Sequence, residues 1–501
     1  MTEVPPGAGE RYDLVLTGGR VIDPESGLDG VRDVGIRAGT VAAVSETRLT
    51  GARVLDVGGQ VVAPGFIDLH SHGQQIPEQR FQALDGVTTA LELEAGAGPV
   101  RTAYARAAAE GRPLNYGYSS SWALARMRVL AGYEPTGAVN EVITQLGNEA
   151  WQQSATPAQV VRILGLIEED LSEGALGIGI LIGYAPLIEP SEYLQVAGLA
   201  AGAGVPTYTH TRELVENNPD TPVDGAEELV RAAGETGAHM HYCHLNSTST
   251  YHVDRVLSLV ERVQREGSAV TTEAYPYGTA MTAIGAAFLA PEHLPRRGLT
   301  PSSIRYLPTM EWVQDEARLT ELRRSDPGGL AFIRYLDDDD PAQFGHVERA
   351  LSFPGAAVAS DGLPFHWPGE APDPHTWPVP PGTLGHPRSV GTFSRFLRLA
   401  RDRGLMSLPE AVARLTLAPA KVLESSCPAM RAKGRVQPGS DADLTVFDPE
   451  RVSDRATYTD PLVASTGITH VMVGGALVVR DGEVVPDALP GKPLFGGKEP
   501  A

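Results

Sequence analysis

Two histidines one residue apart, His70 and His72, close the apolar run Ala63-Pro64-Gly65-Phe66-Ile67-Asp68-Leu69. Side chains alternate along an extended segment, so the two imidazoles point to one side. Converging at a strand's C-terminal end, they could share one metal ion, and neutral imidazole suits zinc. Other strand-like runs end in the same way. Val205 to Thr209 leads to His210, and His239 to Cys243 leads to His244, with His241 as a nearby competitor. Ala356 to Ser360 is mostly apolar and ends in the turn Asp361-Gly362. Four histidines and an aspartate at strand ends together point to a metal centre, the chemistry of which is activation of water.

Two metals held this way need a bridging anion. A carboxylated lysine is excluded, because lysine occurs only at Lys421, Lys433, Lys492 and Lys498, none of them in a candidate barrel strand. The run after Gly86-Val87-Thr88-Thr89 instead carries Glu92 and Glu94 inside an apolar strand. Burying such carboxylates is costly unless they meet a cation. Both face the same way, and Glu94 lies nearer the strand's C-terminal end. Glu94 is therefore the expected ligand, with Glu92 the alternative.

Something must bring these strand ends together. From residue 61 to 430, apolar strand-like runs alternate with helical stretches. Val160, Leu164, Ile167 and Leu171 share one helical face between Ala158 and Gly174, and the β-like run Leu176 to Ile182 follows. Ala226 to Thr236 reads as a helix and Ala238 to Cys243 as a strand. Repetition of this kind predicts a parallel (β/α)8 barrel of the TIM type, which carries its chemistry at the strand C-termini. Residues 285–355 interrupt the rhythm with Pro-rich and acidic stretches and read as an insertion at the barrel mouth; Asp337 to Asp340 reads as solvated surface.

Both ends of the chain differ from this middle. After a Pro- and Gly-rich tail over residues 1 to 10, residues 12–60 give short strands separated by tight turns, and residues 431–501 resume that style before a C-terminal tail. The fold class is thus α/β, with a small β-sandwich domain built from both termini around the barrel.

Composition narrows the function. With 501 residues, 42% hydrophobic and 21% charged, the chain is long enough for one large and one small domain. A net charge of −21 argues against nucleic-acid partners and anionic membranes, though a few arginines in a cleft can still bind an anion. Only Cys243 and Cys427 are present, and the first residues lack the pattern of a secretory signal. A cytoplasmic location is expected; a homo-oligomer is compatible with all of this.

Several stretches resemble the amidohydrolase superfamily. They are Pro64-Gly65-Phe66-Ile67-Asp68-Leu69-His70-Ser71-His72, Gly86-Val87-Thr88-Thr89 and Gly434-Arg435-Val436 through Ala442-Asp443-Leu444. Within it the chain is most similar to the D-aminoacylases, through Gly174-Ala175-Leu176-Gly177-Ile178, Tyr275-Pro276-Tyr277, Ser360-Asp361-Gly362 and His386-Pro387-Arg388. The resemblance spans nearly the whole chain. It implies one or two zinc ions at His70, His72, His210, His244 and Asp361, with Asp361 the catalytic acid/base. It also implies that Arg388 and Tyr277 hold the carboxylate of a small-molecule substrate. Two departures stand out: the family's cysteine ligand is absent from Glu92-Leu93-Glu94-Ala95-Gly96, and Asn246 replaces a lysine two residues after the histidine matching His244.

The expected activity is therefore zinc-dependent hydrolysis of an amide, foremost deacylation of an N-acyl-D-amino acid or a similar N-acyl carboxylate. The rivals are a hydrolase of a cyclic amide or another C–N bond in a specialised metabolite, and a non-catalytic binding protein on the same fold. Tyr184, Arg212, His241 and Cys243 are further candidates for the pocket wall.

Overall fold

The computed structural model describes residues 12–497; the tail expected over residues 1 to 10 lies outside them. Eight parallel strands form the central sheet: β1 (Phe66–Asp68), β2 (Val87–Ala97), β3 (Asn115–Ser121), β4 (Ile178–Ile180), β5 (Thr207–Thr209), β6 (Met240–Tyr242), β7 (Val270–Ala274) and β8 (Ala357–Val358). Each pairs with its neighbours in sequence. The sheet closes between its first and last strands, where Ser71 bridges Gly362 and the Gly362 carbonyl accepts from His72 N at 2.8 Å. Just below, the buried Asp68 carboxylate accepts from Ser360 N at 3.0 Å and Ser360 Oγ at 2.5 Å. This is the TIM-type barrel that the alternation predicts.

The helix expected near 158–174 runs over Pro157–Ser172, opened by a Thr156–Gln159 capping box. It buries Val160, Ile163 and Ile167, with Leu164 and Leu171 half-buried beside them. The barrel's interior is apolar towards the N-terminal ends of the strands. Ile67, Leu69, Leu91, Leu93, Leu176, Tyr208, Cys243 and Ala357 form one cluster there with Leu423, Met430 and Leu494. The C-terminal segment reaches this end by running beside the start of β3, where Tyr116 N donates to Lys492 O and Leu494 N to Tyr116 O.

Between β7 and β8 the chain leaves the barrel for a four-stranded antiparallel sheet of Thr279–Ala283, Leu330–Arg334, Ile304–Tyr306 and Glu311–Trp312, in that order. This excursion begins and ends earlier than the sequence suggests. Helix Pro341–Ser352 buries Phe344, Val347, Ala350 and Leu351 and packs on β7 as an ordinary barrel helix. The acidic run before it is not simple surface. Asp338 accepts from Gly278 N, Arg395 and Tyr458, and Asp340 caps the helix through Ala342 N.

The termini meet in a nine-stranded sheet. Its long strand Tyr12–Asp23 runs on through Gly18-Gly19 with a register shift, longer than the short strands expected over residues 12–60. The first half pairs with Gly51–Asp56 and the second with Val61–Pro64, which joins Leu444–Phe447 from the C-terminal part. Side chains from both halves, including Leu14, Leu16, Val62, Leu444 and Met472, share one core. No helix among the described residues is long and apolar enough to cross a membrane.

Candidate metal centre

All six residues singled out as ligands converge at the C-terminal end of the barrel. His70 Nε2 lies 3.1 Å from His72 Nε2. Asp361 Oδ1 is 3.4 Å from each of these nitrogens. His210 Nδ1 is 3.0 Å from His244 Nε2. Glu94 stands between the two histidine pairs, with Oε1 2.7 Å from His244 Nε2 and 3.2 Å from His210 Nδ1, and Oε2 3.2 Å from His70 Nε2. One carboxylate thus offers an oxygen to each pair.

The backbone is shaped to allow this. His244 and Asp361 adopt positive φ, at 31° and 48°, a conformation that few non-glycine residues take outside functional sites. Gly179 on β4 lets the chain bearing Glu94 come close, since a Cβ there would sit 2.3 Å from the Glu94 carbonyl oxygen. Gly183 leaves room for the His210 ring in the same way, 2.4 Å from its Cδ2.

Crowding of charge follows from the geometry. Burial pushes Glu94 upward, but His70 and His244 outweigh it and hold the carboxyl well below its usual range. Burial likewise opposes protonation of His70, yet Glu94, Glu273 and Asp361 raise it well above the ordinary value. His72 is raised to about 9, chiefly by Glu92, against its burial. His210 is lowered by burial. So many buried acids and imidazoles with converging lone pairs suit a cation better than shared protons. His70, His72 and Asp361 form one group of donor atoms within 4.8 Å of one another, and His70, Glu94 and His244 another. Imidazole nitrogens and carboxylate oxygens in such groups fit zinc, and the second nitrogen of each leading histidine is anchored from behind. His70 Nδ1 lies 2.5 Å from Glu273 Oε1, and His72 Nδ1 2.6 Å from Glu92 Oε2.

Residues 53–479 match the Amidohydrolase family. The chain belongs to that family. It is 29% identical over 519 residues to the N-acyl-D-glutamate deacylase of Alcaligenes xylosoxydans xylosoxydans, covering 97% of each chain. The D-aminoacylase of the same organism is 28% identical over 493 residues, covering 94% of this chain and 95% of that one. The crystal structure of the N-acyl-D-glutamate deacylase from Bordetella bronchiseptica, complexed with zinc and a phosphonate mimic of the tetrahedral intermediate, superposes with a TM-score of 0.74. The identity is 26%, over 97% of this chain and 100% of the other. This amidohydrolase is accordingly a metal-dependent hydrolase of carbon–nitrogen bonds other than peptide bonds.

A cleft of about 780 Å³, counted to its open mouth, leads to the amidohydrolase centre. His72, Glu94, His210, His244 and Asp361 line it, with Tyr184 and Tyr275 among the walls. Tyr184 lies against His210 and hydrogen-bonds Thr282 Oγ1 at 2.7 Å. Two expectations about the wall need correction. Tyr277 does not reach the cleft: its hydroxyl donates to Pro387 O at 3.4 Å, and Arg395 lies over its ring at 4.4 Å. Tyr275 takes that side, its buried hydroxyl beside Ser247 on the cleft wall. Arg388 is buried behind Asp361, Nη1 2.9 Å from Oδ2, and Nη2 donates to Met281 O at 3.1 Å.

Other candidates serve the frame. His241 turns away to Glu273 Oε2 at 3.1 Å and Thr271 Oγ1 at 2.8 Å. Cys243 joins the apolar barrel interior, where burial pushes its thiol up, and its sulfur lies within 4.8 Å of donor atoms of His70 and Glu273, directly beneath the centre. Arg212 borders the cleft but is spent on Glu228 and the carbonyls of Pro186 and Ile188. Asn246 accepts from Tyr275 N at 3.2 Å, so it braces the Tyr275–Tyr277 turn. Glu273 is the residue that sequence reasoning misses. Its signal is the one that finds Glu94, a carboxylate in an otherwise uncharged strand.

Proposed function

We propose that this amidohydrolase deacylates an N-acyl-D-amino acid or a closely similar N-acyl carboxylate, a small-molecule substrate held at the mouth of the barrel. The observation that carries the reading is Glu94, with one oxygen towards each histidine pair beside Asp361. His70, His72 and Asp361 would hold one zinc ion, His210 and His244 a second, and Glu94 both. Bound zinc supplies a Lewis acid that polarises the scissile carbonyl and acidifies water.

The protein's own groups do the rest. Asp361 accepts the proton of the attacking water on a carboxylate oxygen and passes it to the leaving nitrogen. Arg388 orients Asp361 and has donors to spare: Nε has no hydrogen-bond partner among the described residues, and Nη1 reaches Asp361 without one of good geometry. Tyr275, whose ring lies 4.8 Å from the Arg388 guanidinium, is the tyrosine beside it at the cleft.

Hydrolysis of a cyclic amide is a second reading, and one observation favours it: Arg388 stands behind Asp361 rather than on the cleft wall. Elemental analysis of wild type and Glu94→Ala, alongside a screen of N-acyl-D-amino acids and cyclic amides, tests both. Near two zinc ions per chain, falling on substitution, with turnover of N-acyl-D-amino acids, is the expected result. Zinc content indifferent to Glu94 removes the bridge, and turnover of cyclic amides alone selects the second reading.

A further inference from the structure

Beside the ligand His210, the cleft wall holds a pair of charges that the mechanism does not use. Arg297, from the antiparallel excursion, donates through Nε to Glu213 Oε1 at 2.9 Å, with Nη2 2.8 Å from the same oxygen. Nη1 donates to Tyr335 Oη at 3.4 Å. Glu213 lies three residues after His210, and its other oxygen accepts from Asn218 Nδ2 at 3.0 Å. Both partners are about nine-tenths buried, at 10% and 8% side-chain exposure. The Phe288 ring links this pair to the centre. Arg297 lies over it at 5.1 Å, and His210 stacks on it at 6.2 Å with 14° between planes. Apolar groups fill much of the remaining wall: Ile143, Leu146, Leu181, Met281 and Leu363.

An arginine at this position is suited to a carboxylate on the substrate, but here a protein carboxylate already occupies it. An incoming acid would have to displace Glu213, which is tethered in place, or meet its negative charge. The other arginine among the described lining residues, Arg212, is committed to Glu228. We infer that Glu213 is a specificity residue: it fills the arginine site from within, so the enzyme refuses substrates with a second carboxylate and accepts those with an apolar group there. The inference rests on the deacylase reading and adds the substrate class to it.

The second carboxylate could come from the amino-acid side chain or from the acyl group, and matched substrates separate the two. The experiment compares kcat/KM for N-acetyl-D-leucine, N-acetyl-D-glutamate and N-succinyl-D-leucine on the zinc-loaded enzyme. Wild type is expected to favour N-acetyl-D-leucine over both acids by at least about 100-fold. Glu213→Gln should raise one acidic substrate by at least about tenfold, and the double variant Glu213→Gln/Arg297→Met should abolish that gain. The substrate that gains identifies the arm lying against Arg297. A wild type that prefers either acid overturns the inference, as does a folded, zinc-loaded Glu213→Gln with unchanged ratios. The wild-type ratio needs no variant, so it decides even if the substitution folds poorly. Turnover of none of the three overturns the deacylase reading and this inference with it, an outcome distinct from a reversed preference.

Discussion

At the C-terminal ends of its strands the barrel gathers His70, His72, Glu94, His210, His244 and Asp361 within contact of one another. At the other end the same barrel packs Leu91, Leu93 and Tyr208 against Leu423, Met430 and Leu494. The mouth concentrates features that cost stability: buried like charges, and positive φ at His244 and Asp361. The floor concentrates what stabilises any fold, closely packed apolar surface removed from water. A scaffold that holds its chemistry at one end can tolerate crowded charge there because the other end keeps the strands in register. Function and stability should therefore separate by position along the barrel axis.

The sharpest break in that comparison is Asp361→Asn. Removing the proton acceptor should lower kcat/KM by about 10²–10⁴-fold while the thermal midpoint moves little. Steady-state kinetics and calorimetry on one preparation check it. Activity within a few-fold of wild type would remove Asp361 from the proton path. The converse substitution lies at the floor. Leu423 is fully buried, and Leu423→Ala should destabilise the enzyme by about 2–5 kcal/mol through lost contact and a residual cavity. Turnover per folded molecule should stay near wild type. Chemical denaturation measures the first quantity and active-site titration the second; a collapse of turnover in the folded fraction would mean that the two ends are coupled.

Between the ends sits Glu273, on β7, which accepts from the backbone of His244 and faces both His70 and His241. Its carboxylate fixes the ring orientation of His70 without facing the cleft. Glu273→Gln should weaken zinc binding by about 10–100-fold, measured by competition with a chelator, and leave kcat of the fully loaded enzyme less affected. Equal loss of kcat at saturating zinc would assign Glu273 to the reaction itself.

Much of the mouth is legible in the sequence because its signals are local: a histidine or acid at the end of an apolar run, repeated with the spacing of strand–helix units. Position along the strand is the ground for expecting Glu94 rather than Glu92 as the ligand; in the structure Glu94 reaches both histidine pairs, and Glu92 has other partners. Glu92 accepts from the Ala95 and Gly96 amides and holds His72 from behind, so one strand supplies two roles. Tyr277 misleads because a motif gives composition but not direction; the turn braced by Asn246 presents Tyr275 to the cleft instead. Arg297 and Glu213 are 84 residues apart, and nothing in the sequence signals that the excursion folds back over β5. The excursion's own limits are blurred for a related reason: Thr279–Ala283 follows β7 so closely that its small residues do not announce a new sheet.

The smallest expected effect lies beside the floor, where Glu25 ties the N-terminal strands to the C-terminal half. Its carboxylate accepts from Arg435 Nε at 2.6 Å and Nη2 at 2.7 Å, and from Lys421 Nζ at 3.0 Å. Hydrogen bonding to Arg435 is the main cause that holds this carboxyl at about 2, below the ordinary 4.5. A carboxyl depressed on folding contributes stability that is complete above its unfolded pKa and fades as the pH falls towards the folded one. With about a third of the side chain exposed, solvent screening limits the contribution to less than about 1 kcal/mol. Glu25→Gln should therefore lower the urea midpoint slightly at pH 6, and the gap from wild type should narrow as the pH is taken from 4.5 towards 2. A gap that stays constant over that window would show that the residue acts through packing and not through its charge. A gap as large as that of Leu423→Ala would mean that the joint between sheet and barrel, and not the floor, is what holds the mouth in register.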